Sequence, residues 1–222
     1  MEQRLEALLF DLDGLMIDTE RVGLEGWRKA GQELGVEVGE KMLAGLVGLA
    51  HGRTEAYATE MLGGNAELAR ELRAASNRHY HHAMNHGEIP LKTGIENLLN
   101  WAQEHGIPRA VATSTQRSLA DLKLGRTGLI RYFDITVAGD EVSHTKPAPD
   151  LYLAAAAKLG VNPAGCVVLE DSYYGLLAGR AAGMRVILVP DLTTPVAEHL
   201  QETLAVCQDL NHALEVLKPL YA

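Results

Sequence analysis

The sequence predicts a doubly wound, parallel α/β core that is interrupted near its start by a small helical domain. Three observations carry the prediction. The apolar run Leu8-Leu9-Phe10 reads as a buried strand, the stretch 17–88 contains no convincing strand, and from about residue 89 short apolar runs alternate with helical periodicity. Strands alternating with helices build a parallel sheet covered on both faces. The core is therefore expected over 1–16 and 89–222, with the helical domain inserted over 17–88.

In order along the chain, the first strand runs into Asp11, and Gly14 breaks the backbone just past Asp13. Val22, Leu24, Trp27, Ala30 and Leu34 then recur with roughly the spacing of one helix face, which Gly35 ends. Further helices are expected near 40–47, 53–62 and 65–86, separated by Gly48, Gly52, Gly63 and Gly64. The segment IPLKTG, 89–94, reads as a linker: Pro90 stiffens it, and Thr93-Gly94 can start a helix carrying Leu98, Leu99 and Trp101 before Gly106. Strands follow at 110–112, 135–137, 167–169 and 186–189, with helices near 116–124, 149–159, 173–182 and 209–217.

A chain of 222 residues can bury a proper core without disulfides. Its two cysteines, Cys166 and Cys207, lack a paired spacing and suit a reducing compartment. The N-terminal apolar run is too short for a signal peptide, and no stretch approaches the length of a membrane span. A soluble, cytoplasmic, monomeric protein is expected. A formal charge of −9, a pI near 5.5 and the lack of a basic run argue against a nucleic-acid surface. An anionic substrate would then need local positive charge.

The chemistry collects where the apolar runs end. Asp11 and Asp13 are two residues apart, so in an extended backbone both side chains point the same way. Paired carboxylates repel unless a cation lies between them or one is protonated, which means a Mg2+ site, a general acid, or both. The next runs lead into Thr113-Ser114-Thr115, into a loop holding Lys146 within Thr145–Asp150, and into Glu170-Asp171-Ser172. In an open α/β sheet, ligands bind beyond the carboxyl ends of the strands. Helix capping accounts for any single Ser, Thr or Asp there, but not for Lys146 or the Glu170-Asp171 doublet. Asp11, the Asp13 carbonyl and Asp171, with Glu170 nearby, offer the hard oxygens Mg2+ takes. Thr113 and helix-start N–H groups can grip phosphate oxygens, while Lys146 offsets phosphoryl charge. These are the parts of a phosphoryl-transfer site.

Taken in order, DLDG, the TST strand end, TKPAPD and LEDSYYGLLAGRAAGM resemble the four motifs of the haloacid dehalogenase superfamily of aspartyl-phosphate phosphotransferases. The helical block resembles the small cap of its phosphatase/β-phosphoglucomutase-like branch, and the likeness covers nearly the whole chain. The resemblance implies a Rossmann-like core, Asp11 as nucleophile, and Asp13 as the acid that protonates the leaving group and then activates water. It further implies that Thr113, Ser114 and Lys146 bind the phosphoryl group and that Asp11, Asp13, Glu170 and Asp171 position Mg2+. A carboxylate nucleophile splits one hard displacement into two easier ones.

Within that family, Asp13 speaks against the metal-free dehalogenases, and a cap with only Lys29 and Lys41 and without the expected first motif speaks against phosphonate cleavage. The cap histidine of β-phosphoglucomutases corresponds to Gly23, which favours hydrolysis over return of the phosphoryl group. The cap loop GLAHGR, with His51 and Arg53, is expected to meet a polar or anionic part of the substrate, under a cap that closes to exclude water. Glu20 and Arg21, where core passes into cap, read equally as a helix start. His79, His82 and His86 have helical spacing, but no carboxylate or cysteine completes a metal set in the sequence, and a solvated helix face accounts for them. The expectation is thus a Mg2+-dependent phosphatase of a small phosphomonoester. A sugar phosphomutase is the alternative from the same class, and a non-catalytic phospholigand binder the alternative from another.

Overall fold

The computed structural model describes residues 4–47, 49, 51–192, 200 and 203–221. Strand β1 (Ala7–Phe10) lies in the middle of the sheet and is buried on both faces, as its unbroken apolar run requires. It pairs in parallel with β2 (Arg109–Ala112) on one side and β4 (Cys166–Glu170) on the other. With β3 (Ile135–Val137), β5 (Arg185–Leu188) and β6 (Ala205–Val206) the order becomes β3-β2-β1-β4-β5-β6, and every pairing is parallel. The expected α/β core is therefore present. β6 is the strand the sequence did not announce. It spans two residues at the sheet edge, held through the Leu204 N–H to Val186 O and the Cys207 N–H to Leu188 O, within the short apolar run Leu204–Cys207 that the reading of the sequence passed over.

Leu9 and Ala7 point to one face, where they join Leu151, Tyr152, Ala155, Val168 and Leu176 in a single buried cluster. That face is covered by α7 (Asp150–Leu159) and α8 (Tyr173–Ala181). Phe10 meets Phe133 edge-on, with ring centroids 5.6 Å apart. Among the remaining core helices, α5 (Ile95–Glu104) packs against α9 (Leu210–Tyr221), and α6 (Arg117–Arg126) follows β2. Truncating a fully buried residue such as Leu9 to Ala removes about 2–5 kcal/mol in cores of this kind.

The chain divides into two compact units, Met1–Asp18 with Pro90–Ala222, and Thr19–Ile89. The second is built from α1 (Thr19–Leu34), α2 (Glu40–Leu46), α3 (Thr54–Met61) and α4 (Ala66–His86). Trp27 and Ala30 of α1 pack with Leu72 and Ala75 of α4. Gly26 permits this approach, since a Cβ there would stand 3.1 Å from Ser76 O. The Asn65 side chain caps α4 by accepting the Leu68 N–H at 3.1 Å, which stops the helix from fraying at that end. His79 bonds Glu33 Oε2 at 2.8 Å, and the His82 and His86 rings lie 5.0 Å apart. Among the described residues the histidines form no group able to hold a metal. No described helix is long and apolar enough to cross a membrane.

Candidate active site

The order of the sheet reverses between β1 and β4, and the crevice beyond the carboxyl ends of such a pair is where open α/β sheets bind ligands. The register Phe10↔Leu169 brings Asp11, one residue past β1, level with Glu170 at the end of β4. The backbone N–H of Asp11 still donates to Leu169 O at 3.1 Å, which fixes where its side chain emerges. Two apolar runs thus end side by side in carboxylates.

Lys146 answers their charge. Its Nζ donates to Asp11 Oδ1 and, at 2.6 Å, to Glu170 Oε1, with only 7% of the side chain exposed. Tyr152 of α7, fully buried, donates its O–H to the same Glu170 Oε1 at 2.6 Å. The other oxygen of Glu170 accepts the Asp171 N–H at 3.1 Å, the Ser172 N–H at 3.2 Å and the Ser172 hydroxyl at 3.0 Å. A buried charge is tolerable only when it is paired and hydrogen-bonded, and Glu170 is both. Burial pushes its carboxyl upward, but the charge and hydrogen bond of Lys146, with the hydrogen bonds from Tyr152 and the Ser172 N–H, together hold it below the ordinary carboxylate range. Asp11 goes the other way, raised to about 7 by burial, which Lys146 opposes and the charges of Glu170 and Asp13 reinforce. The Lys146 ammonium stays protonated because Asp11 and Glu170 outweigh its burial.

Asp13 is more open, with 23% of its side chain exposed. Its Oδ1 accepts from Lys123 Nζ at 2.5 Å and its Oδ2 from the Thr115 hydroxyl at 2.6 Å. Thr113 is buried just beyond β2, and its Oγ1 accepts the Thr115 N–H at 3.1 Å. Ser114 beside it is exposed. Ser172 caps α8 by accepting the Gly175 N–H at 3.1 Å, while Thr115, a candidate cap in the sequence, turns its hydroxyl to Asp13 instead. Gly14 has φ +85°, and a Cβ there would strike the Asp171 carboxylate, so a side chain is excluded on both grounds.

The chemistry of the donor set fits a hard divalent cation. One carboxylate oxygen from each of Asp11, Glu170 and Asp171 lies within 4.8 Å of the others. Five donors already occupy Glu170, which leaves Asp11 and Asp171 better placed to meet an ion directly. Burial beside like charges, the situation that raises Asp11, is what a bound cation relieves.

Structure therefore gathers Asp11, Asp13, Thr113, Lys146, Glu170 and Asp171 on one rim. In the helical unit, Arg53 is exposed at the end of the short 3-10 turn His51–Arg53, and the side chain of His51 lies outside the described residues, as do Gly48 and Ala50 of the same loop. Lys123 and Tyr152 are the site residues the sequence reading missed. The signal for Lys123 was its place on the apolar stripe of α6, with buried Ala120 three residues before it and Leu124 beside it.

Residues 8–189 match the haloacid dehalogenase-like hydrolase family. The chain belongs to that family. It is 36% identical to protein CbbY of Rhodobacter capsulatus over 84% of this chain and 86% of that one. It is 35% identical to the fructose-1-phosphate phosphatase YqaB of Escherichia coli over 83% and 96% respectively. A crystal structure of a HAD family hydrolase from Deinococcus radiodurans, with bound phosphate and sodium, superposes with a TM-score of 0.82 at 25% identity, covering 98% of this chain and 97% of that one.

Proposed function

We propose that the protein is a Mg2+-dependent phosphatase that hydrolyses a small phosphorylated metabolite, a sugar phosphate or similar phosphomonoester, through an aspartyl phosphate on Asp11. The observation that carries this reading is the Asp11–Lys146–Glu170 constellation at the switch point of the sheet, in a chain 35% identical to a sugar phosphatase.

The roles follow from the contacts. Lys146 binds Asp11 through Oδ1 and brings a fixed positive charge to the place where a phosphoryl group must approach. Asp11 attacks phosphorus through its other oxygen while the bond to the leaving oxygen breaks. Asp13 gives that oxygen a proton in the first step and takes one from water in the second, when water displaces Asp11 from phosphorus. Thr113 and Ser114, at the end of β2, bind phosphoryl oxygens. Asp11, Asp171 and the Asp13 carbonyl would hold Mg2+, with Glu170 behind them, and the ion when bound would neutralise phosphoryl charge. Arg53 and His51 select the substrate by meeting its polar end, a role that rests on the family likeness of their loop. The two free, buried cysteines suit a reducing cytoplasm.

The test is phosphate release from a panel of phosphorylated metabolites with Mg2+, comparing wild type with Asp11→Asn. Turnover that EDTA and the substitution each abolish is the expected result. Absence of phosphate release from every compound overturns the reading, and conversion of a sugar 1-phosphate to its 6-phosphate instead identifies a mutase.

A further inference from the structure

Lys123 is a lysine whose side chain is only 2% exposed, placed on α6 among Ala120 and Leu124, and its ammonium reaches Asp13 Oδ1 at 2.5 Å. Lysine is almost never buried so deeply unless it is paired. Nothing in the activity proposed above uses it. The other oxygen of the same carboxylate, Oδ2, meets the Thr115 hydroxyl at 2.6 Å.

These two partners differ in what they permit. An ammonium only donates, so the oxygen beside it can accept but is a poor place for a proton. A hydroxyl rotates: it donates to a carboxylate and accepts from a carboxylic acid. The two contacts therefore make the oxygens of Asp13 chemically unequal. We propose that Lys123 is a positioning residue that grips Asp13 by Oδ1, so that Oδ2, beside Thr115, is the atom that delivers the proton to the leaving group and later takes one from water. The inference rests on the phosphatase reading and deepens it. In the first step the O–H bond at Oδ2 breaks, its proton goes to the bridging oxygen, and the electron pair of the P–O bond stays with that oxygen. In the second, a water proton goes to Oδ2 as the water oxygen bonds to phosphorus and Asp11 leaves with its own oxygen.

The experiment compares alkyl phosphates, whose leaving groups need a proton, with 4-nitrophenyl phosphate, whose leaving group does not. The quantity read is kcat/KM, which reports only the steps through transfer to Asp11. A well-placed general acid contributes about 10²–10⁴-fold. For Lys123→Met the expected result is a loss of roughly 100-fold on alkyl phosphates with the aryl phosphate within about threefold of wild type. Lys123→Gln is the second variant, and it keeps a neutral donor toward Oδ1. It is read by the same criterion, with a selective loss of roughly tenfold expected from its shorter reach. A merely structural lysine lowers both substrate classes equally, so equal loss, or no loss in either class, overturns the proposal. Wild type inactive on both classes overturns the phosphatase reading itself; wild type active on both with unselective variants overturns this inference alone.

Discussion

Tyr152 donates its hydroxyl hydrogen to Glu170 Oε1 at 2.6 Å, the same oxygen that Lys146 reaches at 2.6 Å. The Lys146 ammonium also lies 5.0 Å from the centre of the Tyr152 ring, so the tyrosine supports the lysine through its face and the glutamate through its edge. Burial, followed by the charges of Glu170 and Asp11, raises the Tyr152 hydroxyl well above its ordinary range and keeps it a donor. Tyr152→Phe deletes one hydrogen bond to a buried charge and leaves the volume unchanged. The expected cost is about 1.5–3 kcal/mol, read as a lower urea midpoint at constant slope. An unchanged midpoint would show that Lys146, the Ser172 hydroxyl and the two backbone donors satisfy Glu170 without the tyrosine.

Gly175, the third residue of α8, is buried against the Glu170 carboxylate, and a Cβ there would overlap it. Gly175→Ala must push out either the helix or the carboxylate with its five donors. Overpacking of this kind costs about 1–3 kcal/mol, and here a fall in turnover is expected with it because Lys146 shares the displaced group. Gly125 of α6 is the contrasting helical glycine, since a Cβ there meets nothing within 4 Å. Gly125→Ala is expected to stabilise by about 0.5–1 kcal/mol, through lower chain entropy in the unfolded state. Thermal melts of the two variants, moving in opposite directions, check both.

The legible parts of this protein are the ends of its strands. Leu8-Leu9-Phe10 reads as buried and Asp11 as chemistry because a charged residue directly after an apolar run has no packing reason to be there; the same holds for Glu170 after Cys166–Leu169. Lys123 and Tyr152 were hidden because each lies inside a helix, where a lysine reads as solvated and a tyrosine as core. Their partners are 110 and 18 residues away in sequence, and only the folded chain brings them to Asp13 and Glu170. β6 was hidden for a different reason. Its run Leu204–Cys207 is short and mixes Val206 with Ala205, and only the pairing with the edge of β5 shows it as a strand.

Glu141 gives the fold acid sensitivity of its own. Burial pushes its carboxyl up, but the Ala138 N–H at 2.9 Å and the Arg117 guanidinium at 2.6 Å hold it below the ordinary glutamate value of 4.5. A carboxyl depressed in the folded state contributes stability that is complete above its unfolded pKa and lost as pH falls through the lower folded one. Glu141→Gln is therefore expected to destabilise at pH 7 by about 1 kcal/mol or less, since the side chain is 35% exposed and solvent screens the pair. The difference from wild type should shrink below pH 4.5 and vanish once both proteins carry a neutral side chain. Urea titrations at pH 7 and at the acid limit measure it, and a difference that persists in acid would assign the effect to packing.

Cys166 and Cys207 test burial from the opposite sign. Both thiols are buried and both are raised to about 11, Cys166 by burial with a contribution from Glu6 that Arg185 opposes, and Cys207 by burial with Asp209. Thiolate is the reactive form, so a folded-state value near 11 leaves about one part in a thousand reactive at pH 8 even before steric access is counted. The expected result is no reaction of either cysteine with Ellman's reagent at pH 8 in the native protein and two equivalents in guanidinium chloride. A group raised on folding stabilises fully below its unfolded value, here about 9, and loses that contribution as pH climbs to 11. Native stability should consequently decline between pH 9 and 11, and replacing both cysteines by alanine should flatten that decline while removing some core packing. Rapid labelling of one cysteine in the native state at pH 8 would show that its strand or loop opens locally, because neither thiol is accessible otherwise.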